Sequence, residues 1–389
     1  MTATDWATCG ALWLTGDPDG APDQSRAAIL PRARAVADGF TARTGIAIDV
    51  GVELTGRAAL LGLSRRGRIS AGGATRLIAT RDGWCALTLA RDVDREAIPA
   101  LLETATVSDH WAAITEWATN IPAAEVTARA RLLGLPVAAL GEQAPAAPVV
   151  RRIGPVGPPR SPSGCLVVDL SSMWAGPLCG RLLRQAGATV IKVESPSRPD
   201  GTRRTPRFFD WMNAGKLCCS IDFDEPETLR TLLARADVVL ESSRPSALTR
   251  RGLGPDLPAR PGRVWARITA HGSGIGANRA GFGDDAAVAG GLVGIAEGGP
   301  YFCADAIADP LTGLEAARSV SEALARGGGE LIEVSLSAVA AEYAALPTTP
   351  ALPRQVAARP ASPRIAGRAS ALGADRDAVH ALASVARTQ

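Results

Sequence analysis

Asp309, in Ala308-Asp309-Pro310-Leu311-Thr312-Gly313-Leu314, follows a glycine-rich, weakly polar stretch and opens an expected helix. A carboxylate there meets the partial positive charge of the helix N-terminus. It can cap the helix, with Pro310 at the first helical position. The same group can act as a nucleophile. Local sequence leaves both readings open.

Other chemistry-bearing residues are sparser. His271 could serve as a general base, but no sequence neighbour orients it, and a core or surface histidine is the favoured reading. The stretch His271-Gly272-Ser273-Gly274-Ile275-Gly276 is like a phosphate-cradling loop, yet no helix opens directly behind it. It reads as a flexible loop. Cys218-Cys219 falls in an expected strand, Leu217 to Ile221, and reads as core packing. No Gly-x-Ser-x-Gly elbow supports a serine hydrolase. Arg198, Arg203, Arg204, Arg207, Arg244, Arg250 and Arg251 all follow strand ends. Guanidinium forks suit phosphate oxygens; a solvated basic face is the alternative.

The elements that must position these groups show a βα rhythm from residue 164 onward. Expected strands are Cys165–Leu170, Thr189–Glu194, Asp237–Glu241 and Arg263–Thr269. Expected helices run from Gly180 to Gly187 and from Pro226 to Ala236. The Ala175-Gly176-Pro177 segment reads as a strand-to-helix turn. The alternation predicts an α/β fold, a Rossmann-like parallel sheet with helices on both faces. Ligands then sit at the carboxyl ends of the strands, where strand order switches.

Residues 66–144 predict a smaller α+β domain. An Asp-Gly turn at Asp82-Gly83 joins two strands, 74–80 and 84–89, into a hairpin. Helices follow near 95–104, 108–119 and 123–133. A Pro-rich linker spans 145–163, the large α/β domain 164–346, and a C-terminal tail 347–389 that opens with Pro347, Pro350, Pro353, Pro360 and Pro363. Residues 1–65 form an alanine-rich helical segment. Its residues 6–65 share a loose plan with 286–345, with Ala27-Ala28-Ile29-Leu30-Pro31 roughly opposite Ala308-Asp309-Pro310. A decayed half-repeat and the compositional likeness of alanine-rich helices both account for this.

Bulk properties narrow the classes. A net charge of +3 over 389 residues suggests neither a nucleic-acid binder nor a membrane-surface protein. No apolar run is long enough for a bilayer, and Met1-Thr2-Ala3-Thr4-Asp5-Trp6 lacks the features of a signal peptide, so a cytoplasmic location is expected. Seven scattered cysteines without paired spacing argue against a disulfide framework and a zinc site, and three histidines against a histidine-rich metal centre.

Several linked motifs resemble the class III CoA-transferases, the formyl-CoA and carnitine-CoA transferase type that shares its fold with α-methylacyl-CoA racemases. They are Val168-Asp169-Leu170-Ser171-Ser172-Met173-Trp174-Ala175-Gly176-Pro177, Gly187-Ala188-Thr189-Val190-Ile191-Lys192-Val193-Glu194, Asn213-Ala214-Gly215-Lys216, Asp237-Val238-Val239-Leu240-Glu241 and Arg244-Pro245. Asp309 with Gly313 matches the family's catalytic aspartate and its following glycine. The resemblance implies that Asp309 attacks an acyl-CoA thioester, that a mixed anhydride and then an aspartyl-CoA thioester form, and that CoA passes to a carboxylic acid. It implies no permanently bound cofactor, with coenzyme A or acyl-CoA as substrate. Met173, Trp174 and Ala175 match the CoA cleft, Ile221 an adenine-side contact and Arg250 a basic residue near the CoA phosphates.

The chain departs from the family pattern at Ser242 and Ser243, which replace a frequent Asn-Phe in the same cleft, and at Asp224 and Ser195. These departures leave a non-catalytic CoA-binding homologue as an alternative. The racemases carry a histidine where Phe282 or Gly283 stands here, which disfavours a racemase. The small-domain-like stretch precedes the large domain, which implies a rearranged order of parts. The resemblance also implies a homodimer.

Overall fold

Long apolar runs between glycine and proline punctuation become buried parallel strands, and the amphipathic stretches between them become covering helices. The computed structural model describes residues 2–384 apart from 225, 275, 297 and 351–355, so Ile275 of the glycine loop and Pro353 of the tail lie outside the described residues.

The chain starts with α1 (Thr2–Thr8), α2 (Ile29–Thr44) and α3 (Val50–Leu61). A three-stranded antiparallel sheet follows, β1 (Thr75–Thr80), β2 (Gly83–Thr88) and β3 (Val137–Ala139), in the order β1-β2-β3. Helices α4 (Asp92–Glu96), α5 (Ile98–Leu102), α6 (His110–Thr119) and α7 (Ala123–Leu132) lie between β2 and β3. This unit has its own core, including Ile78, Cys85, Leu87, Leu101, Ile114 and Val126.

Next come β4 (Val149–Arg152), β5 (Leu166–Asp169), α8 (Ala175–Gln185), β6 (Thr189–Glu194), α9 (Pro206–Asn213), β7 (Leu217–Ser220), α10 (Pro226–Arg235), β8 (Val238–Glu241), α11 (Pro245–Thr249) and β9 (Val264–Thr269). The chain continues with α12 (Gly283–Ala289), the hairpin β10 (Val293–Ala296) and β11 (Gly299–Phe302), α13 (Ala308–Ala325), β12 (Glu330–Ser335), α14 (Leu336–Ala344) and α15 (Arg376–Ser384).

Among the described residues the main sheet has seven strands in the order β4-β12-β9-β8-β5-β6-β7. Neighbours pair in parallel except β4 with β12. Strand β4 interrupts the Pro-rich stretch expected to resist strand. It lies at the sheet edge with an exposed face, the position where such a segment can pair without disturbing the ladder. Strand order reverses between β5 and β8, which opens a crevice at their carboxyl ends.

The N-terminal helices belong to the same apolar core as one face of this sheet. Ile29, Leu30, Ala33, Val36 and Phe40 of α2 and Leu54 of α3 cluster with Leu311, Leu314, Ala317 and Val320 of α13 and with Leu178 and Leu182 of α8. Fourteen of the eighteen residues of α13 are buried. The opposite face of the sheet packs against Leu229, Leu232 and Leu233 of α10 and Val379 of α15.

Candidate active site

The crevice begins at the end of β5. Asp169 is buried and ion-paired with Lys216 at 2.8 Å, and its other oxygen accepts the Ser171 N–H at 3.0 Å. Lys192, from the adjacent strand, pairs with Asp200 at 2.8 Å, both side chains fully buried. Asp200 then accepts the Met173 N–H at 3.2–3.3 Å. Two buried ion pairs therefore set the backbone of the Ser171–Trp174 loop, with Met173 in the left-handed region at φ 73. A non-glycine residue there persists only when its surroundings hold it.

Across the strand-order switch, Ser172 N–H donates to Ser242 Oγ at 3.1 Å. Ser243 turns back to donate to Glu241 at 3.2 Å. Met173 is exposed, whereas Trp174 is buried edge-on to Phe208 with ring centroids 5.4 Å apart.

Asp309 stands in the first turn of α13, but it does not cap the helix. Ile307 holds the N-cap position and makes no side-chain cap bond. The helix begins earlier than the cap reading requires, so the Asp309 carboxylate is released toward α8 and α12. One of its oxygens rests against Gly283, where a Cβ would collide with it. Gly313, one turn later on the same face, lets α13 close on α8: a Cβ there would lie 2.8 Å from the Ala175 carbonyl oxygen and 2.8 Å from the Leu178 side chain. The aspartate–glycine spacing thus has a mechanical reason.

Arg57, Asp284 and Asp285 face Asp309, and Asp305 and His271 pair with members of this set. Arg57, from α3, pairs with Asp305 at 2.6 Å and lies 5.6 Å from the Trp174 ring centroid and 5.7 Å from that of Phe208. Asp305 is buried between Ala304 and Ala306, both left-handed at φ 54 and 43. Asp284 Oδ1 accepts the Ala306 N–H at 3.0 Å. Asp285 is buried; its Oδ1 accepts from Phe282 N–H at 2.8 Å and from the Thr88 hydroxyl of β2 at 3.0 Å. His271, expected to lack an orienting partner, has Nε2 3.7 Å from Asp285 Oδ2.

Asp309 and Asp284 remain half-buried, so both keep access to the crevice. Desolvation pushes Asp309 up to about 7; Arg57 and the Ala175 backbone N–H pull the other way, and Asp284 adds to the rise. Desolvation and then Asp305 push Asp284 up to about 7. The helix terminus by itself would lower the Asp309 value. Packing outweighs it, because solvent is withdrawn from a carboxylate that lacks capping bonds. Burial alone would lower Arg57, but Asp305, Asp284 and Asp309 hold it above the ordinary arginine value.

The structure brings Trp174, Ala175 and Asp309 together, with Met173 and Ser242 along the same crevice. Ile221 lies beyond the end of edge strand β7, beside Arg376 and His380 of α15. Arg250 ends α11 and is exposed. Of the arginine group, Arg203 is engaged by Glu194 at 2.5 Å and Arg251 by Asp224 at 2.7 Å. Among the described residues, no group of three or more His, Cys, Asp or Glu is arranged to hold a metal ion, and no helix is long and apolar enough to cross a membrane. Sequence reasoning missed Arg57, Asp305 and Asp200. Only the run of acidic residues around Gly283 and Asp309 offered a signal.

A parallel sheet with its crevice at the β5–β8 switch, and an aspartate-bearing helix closed on the first crossover helix, define a class III CoA-transferase architecture. The model of CoA-transferase family III matches residues 163–373, and the chain belongs to that family. It is 32% identical over 200 residues to the succinyl-CoA–D-citramalate CoA-transferase of Chloroflexus aurantiacus, covering 46% of this chain and 50% of that one. It is 34% identical over 115 residues to human alpha-methylacyl-CoA racemase, covering 28% of each. A crystal structure of a hypothetical protein from Mycobacterium tuberculosis is 32% identical and covers 47% of this chain and 56% of that one, with a TM-score of 0.43. The chain thus spans about half the length, or less, of these relatives.

Proposed function

We propose that the chain transfers CoA from an acyl-CoA donor to a carboxylic acid through a covalent intermediate on Asp309. The observation that carries this reading is the placement of Asp309: a desolvated, uncapped carboxylate, still accessible, facing one fixed cation. A carboxylate stripped of solvent is a stronger nucleophile, and it is also an acceptable leaving group from an anhydride. Attack on the thioester carbonyl gives an acyl-aspartyl anhydride and CoA thiolate. Return of the thiolate gives the aspartyl-CoA thioester and the free acid. An acceptor carboxylate then attacks this thioester to give a second anhydride, and the CoA sulfur it displaces attacks the acceptor carbonyl, forming the new acyl-CoA and freeing the Asp309 carboxylate.

Arg57 and the Ala175 backbone N–H are the donors available for the oxyanion of each tetrahedral step. Met173 and Ser242 line the crevice that would take the pantetheine arm, with Trp174 and Ala175 buried beside them and Ser243 turned to Glu241, and with Ile221 and Arg250 further out toward the nucleotide. Phe282 and Gly283, beside Asp309, cannot move a proton, which favours transfer over racemisation.

The test is a screen of acyl-CoA donors, succinyl-CoA first, for a hydroxylamine-sensitive adduct on Asp309 read by mass spectrometry. The adduct and CoA exchange should both vanish in Asp309→Ala. CoA binding without an adduct from any donor would leave a CoA-binding protein without turnover.

A further inference from the structure

Asp284 is not assigned a role by the sequence motifs, yet it shares the immediate surroundings of Asp309. Both residues are anchored on Ala306. Asp284 Oδ1 accepts the Ala306 N–H at 3.0 Å, while the Asp309 N–H donates to the Ala306 carbonyl at 2.9 Å. The Asp309 carboxylate lies against Gly283, the residue before Asp284. Both acids are half-buried and therefore reachable from the crevice.

The charged groups facing them come from three places. Arg57 of α3 faces both. Asp305, from the loop before α13, faces Asp284, and Asp285 of α12 faces both. His271, after β9, and Thr88 of β2 engage Asp285 alone. The second oxygen of Asp305 is buried without a hydrogen-bond partner. Arg57 thus faces three carboxyl groups, Asp305, Asp284 and Asp309, and the repulsion between Asp284 and Asp309 disfavours ionising both together.

We infer that Asp284 is the proton carrier for the CoA sulfur that Asp309 displaces, with Arg57 the fixed counter-charge for whichever of the two acids is ionised. The inference rests on the proposed role of Asp309. The step balances. Ionised Asp309 attacks the thioester carbonyl and forms a C–O bond as the C–S bond breaks. The departing sulfur takes the proton of neutral Asp284. The products are the neutral acyl-aspartyl anhydride, CoA thiol and ionised Asp284. The negative charge has moved from Asp309 to Asp284, and Arg57 faces it in both states. On return, ionised Asp284 takes the thiol proton back as the sulfur attacks the anhydride. The pair therefore enters each half-reaction with one proton. That both acids are raised to about 7 agrees with one proton being held near neutral pH.

The experiment follows CoA thiol release and Asp309 labelling in single turnovers of the full chain. Succinyl-, acetyl- and malonyl-CoA are the donors, and the pH is varied. Asp284→Asn should slow CoA release about 100-fold and abolish the alkaline fall of the wild-type profile, while Asp284→Glu restores part of the rate and the fall. Asp309 labelled at the wild-type rate in folded Asp284→Asn, with the alkaline limb unchanged, overturns the role of Asp284. No Asp309 label from any donor in the wild type overturns the nucleophile itself, a different failure. Should Asp284→Asn fail to fold, wild-type CoA release in heavy water decides: a measurable slowing supports the proton transfer, and equal rates overturn it.

Discussion

Arg57 and Asp305 are joined by a 2.6 Å ion pair between a helix in the first quarter of the chain and the loop that leads into α13. Asp305 is fully buried, so Arg57 is its counter-ion as well as the cation that faces Asp309. A site that appears local to the family motifs is completed by a residue far outside them.

Replacing Arg57 with Met should destabilise the fold by about 3 kcal/mol, because a buried carboxylate loses its partner. Arg57→Lys should recover little of it, since an ammonium cannot also lie flat against Trp174 and Phe208. Urea unfolding of the three proteins measures this; equal midpoints would show that the pair is incidental.

Asp309→Asn should stabilise the protein, and more so at higher pH. The sign follows from a folded-state value of about 7 against about 3.9 unfolded. The wild-type carboxyl is protonated at little penalty below about 4; the penalty for ionising it grows between about 4 and 7, and it is complete above that. The melting-temperature difference between variant and wild type should therefore widen from pH 4 to pH 7 and then level off. A gap that narrows with rising pH contradicts the desolvated setting of Asp309.

Gly313→Ala should disturb catalysis through packing alone. The new methyl meets the Ala175 carbonyl oxygen and Leu178, each 2.8 Å from its position, so α13 must move away from α8. Overpacking of this kind costs about 1–3 kcal/mol. Asp309 labelling should slow further than the stability loss explains, because the displaced helix carries Asp309. A variant that melts lower yet labels at the wild-type rate would separate the two effects.

Asp200→Asn should lower stability by about 3 kcal/mol, since Lys192 is left charged in a site with no exposure. It should also release the Met173 backbone from its left-handed conformation, which Asp200 restrains through the amide. Loss of CoA affinity measured by calorimetry, with CoA-independent folding monitored by circular dichroism, tests the second effect.

The parallel sheet was legible because its strands are buried on both faces and read as apolar runs; Thr189–Glu194 needed no adjustment. The start of α8 was not. Gly176-Pro177 looked like a turn, yet both lie in the first helical turn, where a proline lacking its N–H loses no bond. Asp309 was legible from its place at the head of an expected helix and, through the family resemblance, from its spacing to Gly313; of its two readings the cap does not hold, because capping is decided by the preceding backbone. Arg57 had no local signature at all: its partner is 248 residues away. Asp200 was hidden for a similar reason, since its role depends on a buried lysine from a neighbouring strand.

The packing of α2 on α13 carries a practical lesson for anyone who would trim this protein. The family match starts at residue 163, yet Ala33, Val36, Ala37 and Phe40 seal the helix that bears Asp309. A fragment excised at the edges of the match would leave an oily seam open to water and forfeit Arg57 as well. What inheritance marks as one module is smaller than what thermodynamics requires to stand alone.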